Sequence, residues 1–355
     1  MQKTMGCRVG GVSRMCAVIS GRRWLVGATL LWAAWFGTVG VDAVADAPVQ
    51  SSVTRGQVLF EPVEDPRTIP APYRLDRHKF TYELRPLRRL EASRVTVYEL
   101  RYPSPVVSPY PENNTVYAEY YRPDGLGPFP AVIVLDILGG DQTLSRVQST
   151  ILAQRGIAAL FMQMAYYGPR RPAQGRVRLL MPNIEHSVQA VRQTVLDVRR
   201  AAAWLATQPE VDKDRLGLMG TSLGSIIGSL AAEMEPRVRR VAILLGGGGI
   251  VETLYDDPRS RPFMQLLDVL GVERDSVVQK IRTVDPLTYA DRLRDRKVLM
   301  LAGKRDDIVP PKATERLWEG AGRPEIVWFD CTHHGAVLYF LPAMLKIVAF
   351  FSAPQ

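Results

Sequence analysis

Cysteine is nearly missing from this 355-residue sequence. Of the three present, Cys7 and Cys16 lie within the first 45 residues, which leaves Cys331 alone and excludes an internal disulfide framework from the rest of the chain. Histidine is almost as scarce. His78, His186, His333 and His334 are the full set, with no pair at the spacing a helix-borne metal site needs, so no metal is expected. Runs of Lys and Arg interleaved with aromatics are absent too, and with them any support for a nucleic-acid partner. No internal repeat is visible. Pervasive disorder is excluded by an apolar share of 46%, that of a globular protein with a substantial core.

The amino-terminal end differs from the rest. Lys3, Arg8, Arg14, Arg22 and Arg23 precede an uncharged run from Trp24 to Val41, and Ala43-Val44-Ala45 has the small-x-small form of a cleavage site. Residues 1–45 therefore read as an export signal, giving a periplasmic or secreted protein that starts near Asp46. The long basic lead suggests a true start at Met5 or Met15, or a twin-arginine route through Arg22-Arg23. The alternative is an uncleaved anchor, since the apolar run reaches the roughly 18 residues at which a span becomes possible; only then would a membrane be a partner. Without residues 1–45 the formal charge falls from +9 to +5, with 40 basic against 35 acidic side chains.

Residues 46–93, rich in Pro, Arg and Glu, read as a linker and an irregular leader. From Arg94 the sequence alternates, and with Asn114–Arg122 it suggests an antiparallel hairpin. Ala131–Leu135 is continuously apolar, as a strand covered on both faces should be. Helices over Leu144–Gln154 and Glu185–Thr207 then alternate with strands at Ile157–Met162, Leu216–Met219, Val238–Leu245, Lys297–Leu301 and Glu325–Phe329. Val211–Arg215 reads as a polar turn. The pattern predicts an α/β fold: a doubly wound, mostly parallel sheet of about eight strands over 94–355. Between about 250 and 296 the alternation lapses into short helical pieces broken by Asp-Pro, which suggests a small helical lid.

Gly220-Thr221-Ser222-Leu223-Gly224 has the form GxSxG, placed between an apolar strand and a helix of small residues. A serine hydroxyl attacks carbonyl carbon poorly unless a tight turn lifts it beside a base, and glycines two positions either side permit that turn. Ser222 is the candidate nucleophile. An acid and a base stand downstream in the required order. Asp306 follows the strand ending at Gly303, at the carboxyl edge where open α/β sheets put their sites; Asp307 points the other way if the turn is extended. The base is His333 or His334, in the loop after the strand ending at Phe329. His333 is favoured because Gly335-Ala336 leaves room beside it.

Gly220–Gly224, Gly303–Pro310 and Thr332–Gly335, taken in order, resemble the corresponding segments of the α/β-hydrolase family over residues 94 to 352. The resemblance implies an oxyanion hole made by the N–H of Leu223 and one from the loop after the third strand. That loop usually reads His-Gly; here it is Asp136-Ile137-Leu138-Gly139-Gly140, and Leu138 is the best alignment. Tyr167 and Arg170 follow a buried strand and are candidates for binding substrate, with surface arginines stacked on tyrosines as the plainer reading. Gly246–Gly249 lacks the spacing of a phosphate loop and reads as backbone crowding. The expected activity is a serine hydrolase acting on a small-molecule carboxylic ester, without organic cofactor. A peptidase or thioesterase with the same residues, or a non-catalytic binding module on the same scaffold, are the alternatives.

Overall fold

The computed structural model describes residues 52–173, 176–249 and 274–354, so the expected export segment lies outside the described residues. The leader is not irregular. β1 (Thr54–Phe60) pairs antiparallel with β2 (His78–Leu90), which in turn pairs with β3 (Val95–Pro103). Val58, Phe60 and Phe80 point into the core, while the outward positions carry charged ladders such as Arg55–Glu83 and Arg85–Glu99. Those charges mask the two-residue period. Pro86 sits where the register shifts, at a bulge that tolerates its missing N–H. The domain thus begins about forty residues before 94.

β4 (Thr115–Pro123) completes the hairpin with β3. β5 (Phe129–Leu135), β6 (Ala158–Met162), β7 (Val211–Thr221), β8 (Val238–Leu244), β9 (Lys297–Gly303) and β10 (Glu325–Phe329) run parallel, giving the order β1-β2-β3-β4-β6-β5-β7-β8-β9-β10. Ten described strands replace the expected eight, and the two leader strands account for the difference. Residues 211–215, expected as a turn, are the first half of β7, with Lys213 and Asp214 exposed.

Helices cover both faces. α1 (Thr143–Gln154) and the carboxyl-terminal helix contribute to one apolar cluster; α2 (Ile184–Leu205) and α3 (Leu223–Met234) contribute to the other. α2 starts where the Asn183 side chain accepts the His186 N–H. Residues 250–273 of the expected lid lie outside the described residues. Its remainder, α4 (Arg274–Arg282) and a 3-10 stretch Pro286–Leu293, packs against α2, α3 and α5 (Pro311–Gly320). The last helix, α6 (Phe340–Ser352), lays Phe351 against Gly217 of β7.

Glu233, in the last turn of α3, is 1% exposed, and neither carboxyl oxygen has a hydrogen-bond partner among the described residues. Burial, reinforced by the nearby Asp285 carboxylate, holds its pKa well above the usual carboxylate range. The folded state therefore binds this proton more tightly than the unfolded state. Its stabilising contribution is complete below the ordinary value of 4.5 and is lost as pH rises through the raised one. Glu233→Gln, which cannot ionise, should lose less stability than the parent between about pH 5 and pH 8. Urea unfolding at both pH values checks this; equal losses in parent and variant contradict it.

Candidate active site

β7 runs between β5 and β8, with Leu135 opposite Gly220, and ends at Thr221; α3 starts at Leu223. Ser222 makes the whole reversal by itself, at φ 54° and ψ −121°, a conformation costing a non-glycine residue on the order of 1–3 kcal/mol. Its N–H donates to the Leu244 carbonyl at 2.8 Å, and its own carbonyl accepts from Ser225 Oγ at 2.7 Å. The glycines are required sterically. A Cβ on Gly220 would meet the backbone of Gly224 and lie 2.6 Å from Ser225 N; one on Gly224 would press on the carbonyls of Leu135 and Asp136.

Two other strand ends meet this turn. After β9, Asp306 is buried while Asp307 is exposed. The N–H groups of Ile308 and Val309 donate to Asp306 Oδ1 at 2.9 and 2.8 Å, fixing the carboxylate's plane. After β10, His333 places Nδ1 at 3.0 and 2.8 Å from the two Asp306 oxygens and Nε2 at 2.9 Å from Ser222 Oγ. His334 is exposed, its ring edge-on to that of His333 at 5.8 Å. Burial, and then the Asp306 charge, pushes the Cys331 thiol up, so it does not supply a thiolate beside the serine.

Two family models match the sequence: the prolyl oligopeptidase family over residues 187–321, and alpha/beta hydrolase domain containing 18 over residues 80–246. The chain belongs to the α/β-hydrolase superfamily. Among its relatives, acyl-coenzyme A thioesterase 5 of Mus musculus is 25% identical over 69% of this chain and 58% of that protein. An uncharacterized protein of Mycobacterium tuberculosis is 29% identical over 47% of this chain and 41% of its own length. The chain thus spans less than two thirds of these relatives. Acetyl xylan esterases from Paenibacillus sp. R4 (TM-score 0.60, 18% identity, 76% of this chain, 88% of that one) and Thermoanaerobacterium sp. JW/SL YS485 (0.53, 22%, 75%, 87%) share the fold.

Leu223 opens α3, so its N–H has no carbonyl to bond within the helix. Leu138 is 58% exposed on the loop that leaves β5, and that loop starts against the turn at Ser222, where Gly224 faces the carbonyls of Leu135 and Asp136. Asp136 is buried, accepts from Ser145 Oγ at 2.8 Å, and has its carboxyl pKa raised by burial. Nothing in the sequence marks that pairing except its nine-residue separation.

The two residues expected to meet substrate are placed otherwise. Arg170 is fully buried: it pairs with Asp197 of α2 at 2.8 Å and donates to the carbonyls of Gln163 and Asn113. A 3-10 turn at Gly168–Arg170 carries it inward, and Asp197 supplies the countercharge that permits burial. Tyr167 is 4% exposed, and its hydroxyl is engaged by the backbone of Ile137 and Gly139. Among the described residues no cluster of His, Cys, Asp and Glu is disposed to hold a metal.

Arg170→Met leaves Asp197 buried without its partner and is expected to cost about 3–5 kcal/mol of stability. Chemical denaturation measures this directly. A variant of parental stability with a raised KM would instead return Arg170 to the substrate.

Proposed function

We propose that this protein is a serine hydrolase that cleaves a carboxylic ester through an acyl-enzyme. The observation carrying the reading is the unbroken line Ser222 Oγ, His333 Nε2, His333 Nδ1, Asp306, with separations of 2.9 and 2.8 Å. Ser222 Oγ attacks the ester carbonyl carbon as His333 Nε2 takes its proton, and Asp306 holds the ring's orientation and stabilises the imidazolium. The oxyanion forms between the N–H groups of Leu223 and Leu138, each worth roughly 3–4 kcal/mol to the transition state. Collapse expels the alcohol, which takes the proton from His333. Water then repeats the sequence on the acyl-enzyme and restores the serine.

A thioester is the second reading. The thioesterase relative covers 69% of this chain, and the same acylation serves a thiolate leaving group, which needs less help from the protonated histidine.

A fluorophosphonate probe should label the parent and leave Ser222→Ala unlabelled with its fold intact. On p-nitrophenyl acetate, His333→Ala should lose about 10²- to 10⁴-fold in rate, whereas His334→Ala should change mainly KM. Asp306→Asn should lose orders of magnitude and Asp307→Asn little. An unlabelled parent identifies a binding module, and a dead His334→Ala exchanges the roles of the histidines. Rates on matched oxygen ester, thioester and peptide anilide rank the substrate classes.

A further inference from the structure

An oxyanion donor works only if it is held within about half an ångström of where charge develops. Ser145 anchors the Asp136 end of the loop that runs to Gly140, but the middle of that loop is open. Gly139 lies at φ +63° with open space around its Cβ position, Gly140 follows it, and Leu138 is largely exposed. The loop is held from outside. Tyr167 Oη accepts the Gly139 N–H at 3.1 Å and donates to the Ile137 carbonyl at 3.2 Å, so one hydroxyl bridges the residues on either side of Leu138.

Tyr167 is itself fixed. It is 4% exposed, and its N–H donates to the Met164 carbonyl at 3.1 Å. The preceding residues are pinned by Thr194 Oγ1, which accepts from Ala165 N–H at 3.1 Å, and by Asn113 Oδ1, which accepts from Tyr166 N–H at 2.9 Å. Arg170 ties the two ends of the segment together through Gln163 and anchors both to Asn113 and Asp197. Ser104 donates to Asp197 at 2.6 Å, and Asn113 donates to Gln193 at 2.8 Å. This buried polar network has no exposed surface for substrate, yet it ends on the loop that carries Leu138.

We propose that Tyr167 is a positioning residue for the oxyanion loop, transmitting the rigidity of the buried Arg170–Asp197–Asn113 network to the Leu138 N–H. The inference rests on the reading of Ser222 as the nucleophile. Burial pushes the Tyr167 pKa up to about 12, so the hydroxyl keeps the proton it donates to Ile137.

Tyr167→Phe removes the bridge and keeps the ring. Ile137, Leu138 and Gly139 border solvent, so water can satisfy the released groups and the fold should hold. Expected is a fall in kcat of about 10- to 100-fold with KM nearly unchanged, and a proportional loss of affinity for a trifluoromethyl ketone, whose hemiketal oxyanion occupies the hole. A lowered melting temperature with kcat and ketone affinity within twofold of the parent overturns the proposal. Should the variant not fold, 3,5-difluorotyrosine at 167 keeps the contact while acidifying the phenol. Its phenolate cannot donate to Ile137, so the alkaline loss of kcat should move to lower pH; an unmoved profile overturns the proposal. Fluorophosphonate labelling separates the two levels. A labelled parent with an unaffected Tyr167→Phe removes the tyrosine's role alone, while an unlabelled parent removes the nucleophile and the positioning role with it.

Discussion

The approach of two backbones at Gly220 and Gly224 is the constraint on which the rest of the site depends. β7 can turn straight back into α3 only if no Cβ stands at either position, since each would strike main chain rather than a movable side chain. Given that clearance, Ser222 takes a strained conformation at the apex, with its hydroxyl 2.9 Å from His333 Nε2. In the proposed reaction the same contact sets the oxyanion side, because Gly224 rests on the carbonyls where β5 ends. Asp306 and His333, the proposed acid and base, then need only arrive from the ends of β9 and β10, which parallel pairing puts at the same edge.

Buried polarity does a second job. Arg170, Asp197, Asn113, Gln193 and Ser104 form a network between α2 and the segment after β6, and each charged member would be costly alone. Hydrophobic packing could fill that volume, but directional bonds hold a loop in one place, and this loop carries the tyrosine that bridges Ile137 and Gly139.

The central strands were legible because both faces are covered, and continuous apolar runs follow from that. The turn at Gly220–Gly224 was legible for a different reason: few residue types permit it. Asp306 over Asp307 followed from alternation along an extended segment, and His333 lies within bonding distance of both expected partners. β1 and β2 were hidden because their outward faces carry paired Arg and Glu, which resemble a solvated leader when their partners are unknown. The direction of Arg170 was hidden as well. A guanidinium reads as exposed unless its countercharge is known, and Asp197 lies 27 residues away on a helix otherwise read by its valines.

On the proposed mechanism Ser222 becomes covalently acylated during turnover. Mass spectrometry after reaction with a p-nitrophenyl carbamate detects this, because the carbamoyl-enzyme hydrolyses slowly enough to be trapped. One equivalent of p-nitrophenol should be released in a burst, with one carbamoyl group on the peptide containing Ser222. An unmodified Ser222 in inactivated protein, or a carbamoyl group on any other residue, would contradict it.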